Sequence, residues 1–182
     1  MKCPVCKTNT FNNKELESGL LALECSSCGG YWIKSFQYWK WRDKHGKNLP
    51  EKPSEEGLEL TTKDTKGGKF CPECSKLLFR YKVGHDLDFS LDRCNVCGGT
   101  WFDKNEWEIL KNRNLHDDIH FIFSAPWQTK VKKEEALRDK EKFLEKKIGE
   151  TDYTKVKGIQ EWLQKHAAKN EIWAYLKDNI SW

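Results

Sequence analysis

Residues 25–32 read CSSCGGYW and residues 94–101 read CNVCGGTW: one phrase, Cys-x-x-Cys-Gly-Gly-x-Trp, written twice. Upstream of each copy lies a further pair, Cys3 with Cys6 and Cys71 with Cys74, so the eight cysteines form C-x2-C-x18-C-x2-C and then C-x2-C-x19-C-x2-C. A tetrahedral zinc ion takes four thiolates at about 2.3 Å, and a two-residue gap lets one tight turn present two sulfurs to the same ion. Pro4 and Pro72 fix φ just after the first cysteine of their pairs, and Gly29, Gly30, Gly98 and Gly99 follow the second pairs, where φ > 0 is cheap only for glycine. The phrase is therefore a metal-binding turn. The expected ligands are Cys3, Cys6, Cys25 and Cys28 for one Zn2+ and Cys71, Cys74, Cys94 and Cys97 for a second. Iron is the alternative ion, since four thiolates accept either. Redox-active Cys-x-x-Cys pairs would leave unexplained why each pair has a partner about twenty residues away.

The residues between the pairs predict β-hairpins. In the second repeat Leu77, Phe79, Tyr81 and Val83 alternate with polar residues, Gly84 breaks the run, and Leu87, Phe89 and Leu91 alternate with Asp86, Asp88, Ser90 and Asp92. In the first, Phe11 corresponds to Phe79, Ser18-Gly19 offers a turn, and Leu21 and Leu23 run into Cys25. Trp32 and Trp101 stand at equivalent places after the glycines, where a large ring could cover the apolar side of the metal. A short helix is expected after each. Asp103 with Glu106 three residues on reads as a capping box leading into Trp107 and Leu110.

These motifs resemble the bacterial zinc ribbons named for their likeness to the transcription factor IIB type zinc finger. The second copy carries the pattern through Cys71, Pro72, Cys74, Cys94, Cys97, Gly98, Gly99, Trp101, Asp103 and Glu106. The first keeps Cys3, Pro4, Cys6, Cys25, Cys28, Gly29, Gly30 and Trp32, with Lys34 and Gln37 in place of the acidic pair. The resemblance covers about half of the chain and implies zinc and a ribbon fold.

Composition agrees with a metal-stapled protein. Only 37% of the 182 residues are hydrophobic and 33% are charged, so apolar burial alone would give a thin core. The N-terminus has no apolar stretch of the signal-peptide kind and no run approaches about 18 apolar residues, so the expectation is a cytoplasmic protein with no membrane partner. The fold class expected is α+β: a zinc ribbon at 1–45, a polar linker at 46–68 rich in Pro, Gly and charge, a second ribbon at 69–115, and a small helical domain at 116–182. In that last region Leu137, Leu144 and Ile148 form a narrow stripe ended by Lys146, Lys147 and Gly149. Asp152 could cap a second helix with Val156, Ile159, Leu163 and Ala167 facing inward, and Asn170 a third through Ile172, Trp173, Leu176 and Ile180. Together they would make a small bundle.

For function, the sequence points away from catalysis. A four-cysteine site leaves no open coordination position, and no nucleophile-base constellation or phosphate-cradling loop can be argued. His116 and His120 in HDDIH would supply half a metal shell, and the segment reads as a polar helix start; His45, His85 and His166 are isolated. The most suggestive surface is IKSFQYWKWRDKHGK at 33–47, where Phe36, Tyr38, Trp39 and Trp41 interleave with Lys40 and Arg42, a combination that serves protein hot spots or base stacking. Eight thiolates and two zinc ions bring the formal net charge from +4 to zero, which suits a general nucleic-acid binder poorly. Nine tryptophans favour contact with another protein. The leading expectation is a non-enzymatic adaptor or regulator binding a protein partner, with nucleic acid or the transcription machinery as the alternative partner, and an iron or redox carrier as the outsider.

Overall fold

The computed structural model describes residues 1–45, 49–50, 61–62, 64–65 and 67–179. The chain divides into two units, Met1–Val131 and Lys132–Trp182. Most of the 46–68 linker lies outside the described residues.

In the first unit each repeat supplies a hairpin and a short third strand: β1 (Phe11–Glu17), β2 (Leu20–Cys25) and β3 (Tyr31–Ile33), then β4 (Phe79–Gly84), β5 (Leu87–Arg93) and β6 (Thr100–Phe102). Gly19 takes φ +81° in the first turn, as anticipated; in the second, Gly84 has φ +74° but ends β4, and the turn itself is His85-Asp86 at φ +53° and +60°, which the sequence does not flag. The ribbons do not stand apart. They form one six-stranded antiparallel sheet in the order β1-β2-β3-β6-β5-β4, joined at its centre by β3 against β6 with Tyr31 opposite Phe102, Trp32 opposite Trp101 and Ile33 opposite Thr100.

Helix α1 (Ser35–Lys44) follows β3 and α2 (Glu106–Asn112) follows β6. Between the helices and the sheet lies a core of Leu20, Ile33, Val83, Leu91, Phe102, Trp107 and Leu110, joined by Ile119 and Ile122 from the short α3 (Ile119–Ile122). Tyr38 and Trp41 belong to this core, 5% and 2% exposed. The expectation that they line a partner surface is thereby corrected. Trp41 packs edge-on to Trp107 at 6.3 Å, and the Tyr38 hydroxyl donates to the Asp117 carbonyl at 2.6 Å, so residues 33–45 hold the ribbons together.

Helix α4 (Ala125–Ile148) starts on the first unit. Ser124 Oγ accepts from Trp127 N at 3.3 Å, as an N-cap does, Trp127 Nε1 donates to the Val83 carbonyl at 2.9 Å, and Val131 packs on Gly84. The second unit continues through α5 (Glu150–Lys165) and α6 (Lys169–Asn179). Here the expected inward faces are corrected only in part: α5 and α6 are in contact and Leu163, Ile172 and Leu176 are half-buried. Gly149, not Asp152, is the N-cap of α5, and α5 has no buried residue, with Val156 and Ile159 on the surface at 44% and 55% exposure. Among its described residues the second unit buries no hydrophobic side chain at all. The helical period was legible, but an apolar stripe on each helix does not say that the stripes face one another. Ile180 lies outside the described residues.

Candidate metal centres

Each quartet is built from two turns that flank a hairpin and meet at its open end, where Phe11 pairs with Cys25 and Phe79 with Arg93. In the first turn of each ribbon Cys3 N donates to the Thr8 carbonyl at 2.8 Å and Cys71 N to the Lys76 carbonyl at 2.7 Å. The positive φ there falls on Lys7 and Ser75, which the sequence does not flag. In the second turn Cys25 N donates to the Gly30 carbonyl and Cys94 N to the Gly99 carbonyl, both at 2.9 Å, while Gly29 and Gly98 take φ near +70°. The turns converge. Cys3 and Cys28 Sγ lie 3.6 Å apart, Cys6 and Cys25 3.4 Å, Cys71 and Cys97 3.5 Å, and Cys74 and Cys94 3.4 Å. Four sulfurs about 2.3 Å from one ion stand about 3.8 Å apart, whereas a disulfide requires about 2.05 Å. All eight thiols are free, and each quartet lies within 4.8 Å of itself.

Within a quartet the thiols differ in acidity. Burial pushes Cys28 and Cys97 up to about 11, and at Cys6 the hydrogen bonds of Thr8 overcome burial and bring it to about 6. A bound divalent ion would hold all four as thiolates, and the geometry and donor set of both quartets fit zinc. In each quartet two ligands are buried and two are half-exposed, so the ion would be surrounded by sulfur and closed to substrate.

The tryptophans do more than cover a metal. Trp32, Trp101, Cys3, Cys25, Cys71 and Cys94 form one buried cluster across both ribbons. Trp101 Nε1 donates to Asp103 Oδ1 at 2.7 Å. Asp103 Oδ2 accepts from Thr65 N at 2.9 Å, Thr65 Oγ1 at 2.5 Å and Lys69 Nζ at 2.9 Å, and Lys69 also meets Asp92 Oδ2 at 2.5 Å. Burial alone would discharge Lys69, but the two carboxylates hold its pKa above the ordinary value. The expected capping box is corrected: the N-cap of α2 is Asn105, at φ +72° and with no side-chain cap bond, while Glu106 Oε2 accepts from Asp103 N at 2.8 Å and the Asp103 carboxylate turns to Trp101, Thr65 and Lys69. Asp64, Asp103 and Glu106 come together as a third cluster, acidic where the first two are thiol, with Lys69 already its internal cation. Sequence reasoning missed Lys69, because a lone lysine at the end of a charged segment carries no sign of burial.

The two histidines of HDDIH diverge. His116 is buried beside Trp41 and Trp107, with ring centroids at 6.0 and 5.8 Å, whereas His120 stacks on Trp39 and Phe121 at 5.1 and 4.1 Å. Of the aromatic and basic segment, Phe36, Trp39 and Lys40 remain at the surface, and Arg42 donates to the Asp117 carbonyl at 3.0 Å.

The family described as transcription factor zinc-finger matches residues 2–44 and 70–113, a little under half of the chain. No curated protein and no solved structure matches the chain.

Proposed function

We propose that this chain, whose residues 2–44 and 70–113 match the family described as transcription factor zinc-finger, is a non-enzymatic, cytoplasmic adaptor in which two zinc-stapled ribbons form a rigid head and the C-terminal helices engage a protein partner. The observation that carries this reading is the second unit. Three helices display Leu137, Phe143, Val156, Ile159, Trp162, Trp173 and Tyr175, each 44–68% exposed, with no fully buried hydrophobic side chain among the described residues of their unit. Apolar stripes at helical spacing that are left uncovered are the means by which amphipathic helices bind grooves or other helices. Large aromatic rings supply hot-spot energy at such contacts. On the first unit Phe36, Trp39 and Phe121 offer a second exposed aromatic area at 65%, 40% and 48%. Among the described residues no helix is long and apolar enough to cross a membrane.

The alternative partner is nucleic acid, for which Phe36 and Trp39 stand beside Lys40, Arg42 and Lys44. Half of that platform is lost to the core with Tyr38 and Trp41. Affinity capture from native lysate separates the readings. The intact chain is expected to retain a specific protein that a Trp162→Ala/Trp173→Ala variant releases. Binding to DNA or RNA that falls steeply with salt and is abolished by Phe36→Ala/Trp39→Ala, with no protein retained, would replace the adaptor by the nucleic-acid binder.

A further inference from the structure

We propose that the two metal sites form one coupled unit, each held closed by the tryptophan of the other ribbon, so that losing the metal at one site weakens the other. An ideal Cβ on Gly99 would lie 2.3 Å from Trp32 Cζ2, and one on Gly30 would lie 2.4 Å from Trp101 Cζ2. Each indole therefore lies directly on the second glycine of the opposite ribbon. Neither glycine has a positive φ, so what the site requires of them is space for the ring. Those two glycines are also the residues whose carbonyls close the ligand turns, accepting from Cys25 N and Cys94 N at 2.9 Å. Neighbouring contacts are crossed in the same way. The Lys104 stem lies 3.4 Å from the Cβ position of Gly29 and Ser35 Oγ 2.9 Å from that of Gly98, while Lys34 pairs at 3.1 Å with Glu73, which stands between the ligands Cys71 and Cys74.

The physical consequence follows from how ribbons fold. Zinc binding supplies much of the folding free energy of a small ribbon, so removing the ion from one ribbon loosens its third strand and the indole that strand carries. The indole then leaves the ligand turn of its neighbour. By linkage the effect is equal in both directions. The exchange is symmetric in shape but not in polarity: Trp101 Nε1 is tied to Asp103, whereas Trp32 Nε1 is buried with no acceptor among the described residues, Lys34 standing where the aspartate would be. Trp32 thus has no hydrogen bond to lose within its own ribbon. That makes it the cleaner probe.

The test uses the zinc-loaded full chain, challenged with limiting chelator in the presence of iodoacetamide, with the modified cysteines mapped by mass spectrometry. Trp32→Phe is expected to speed modification of Cys71, Cys74, Cys94 and Cys97 about ten-fold, within the usual range of site-site coupling. Trp101→Phe is expected to do the same for Cys3, Cys6, Cys25 and Cys28. Acceleration that includes the opposite quartet supports the exchange; acceleration confined to the ribbon carrying the substitution, or none, overturns it. Should either variant fail to fold, Cys3→Ser/Cys6→Ser disables one site directly. Its remaining zinc is then expected to be bound about ten-fold more weakly than either zinc of the intact chain, by competition with a chromogenic zinc indicator. An unchanged affinity would refute the coupling.

Discussion

At Gly99 a single added methyl would have to share space with the Trp32 ring. Overpacking of this kind costs about 1–3 kcal/mol, so Gly99→Ala is expected to unfold at lower denaturant in the zinc-loaded state. Gly158, inside α5 with nothing within 4 Å of a Cβ, should respond in the opposite sense, Gly158→Ala raising the helical signal through about 0.5–1 kcal/mol of propensity. Glu106 makes a pH-dependent counterpart. Burial, reinforced by the charges of Asp103 and Asp64 and opposed by Lys69, pushes its carboxyl from 4.5 up to about 9. The folded state therefore holds a proton that the unfolded state gives up, and stability is lost as pH rises from the lower value to the higher. Glu106→Gln removes that dependence. Its advantage over the natural protein should widen between pH 5 and 9, reaching at least about 1 kcal/mol, in urea denaturation at fixed zinc activity. A constant difference would mean that Glu106 does not hold the proton. At this scale the sequence was most legible where chemistry fixes the residue type, as at the eight cysteines and at Gly29 and Gly98. It was silent where burial depends on a distant strand, as at Lys69.

At the scale of elements, hairpin β4–β5 was readable because alternation over six or seven residues has a clear period, whereas β1–β2, whose first strand FNNKELE does not alternate, was placed by its correspondence with the second repeat and by Ser18-Gly19. Strands β3 and β6 have three residues each, too few for any period, and they are the strands that join the ribbons. Helix α1 forms with no side-chain cap, held by the burial of Tyr38 and Trp41, whereas α2 has the acidic Glu108 in its first turn. The C-terminal helices show the reverse problem: each was foreseen, but Val156, Ile159, Trp162 and Trp173 stay at the surface of their own unit. Helices without tertiary burial are marginal in water, since packing supplies most of their stability in proteins. Amide hydrogens of α5 and α6 are accordingly expected to exchange far faster than those of β2 and β5. A strong chelator should abolish the near-ultraviolet signal of Trp32, Trp41, Trp101 and Trp107 while leaving most of the helical signal of α5 and α6. Loss of both signals together would show that the helices depend on the zinc-bearing unit.

For the whole molecule, the decisive fact is that tandem copies produced one sheet. A ribbon of about 45 residues has little apolar surface to bury alone, and its third strand ends the hairpin with an open edge. Pairing β3 with β6 removes both open edges at once and buries Tyr31, Trp32, Ile33, Trp101 and Phe102 between the copies. Two ribbons thereby share one core, and the 46–68 segment need not hold them together. Helix α1 adds to the grip from the side, through Trp41 on Trp107 and through Tyr38 and Arg42 on the Asp117 carbonyl. This leads to a test of the architecture that does not involve the metal ligands. If a protease site is placed between Glu51 and Leu60 and cut in the zinc-loaded protein, the two fragments should still migrate as one species in size-exclusion chromatography at micromolar concentration. They should separate once the chelator is added, because each half of the shared core is then without its staple. Fragments that part while zinc is bound would mean that the covalent tether, and not β3 against β6, keeps the ribbons in one sheet.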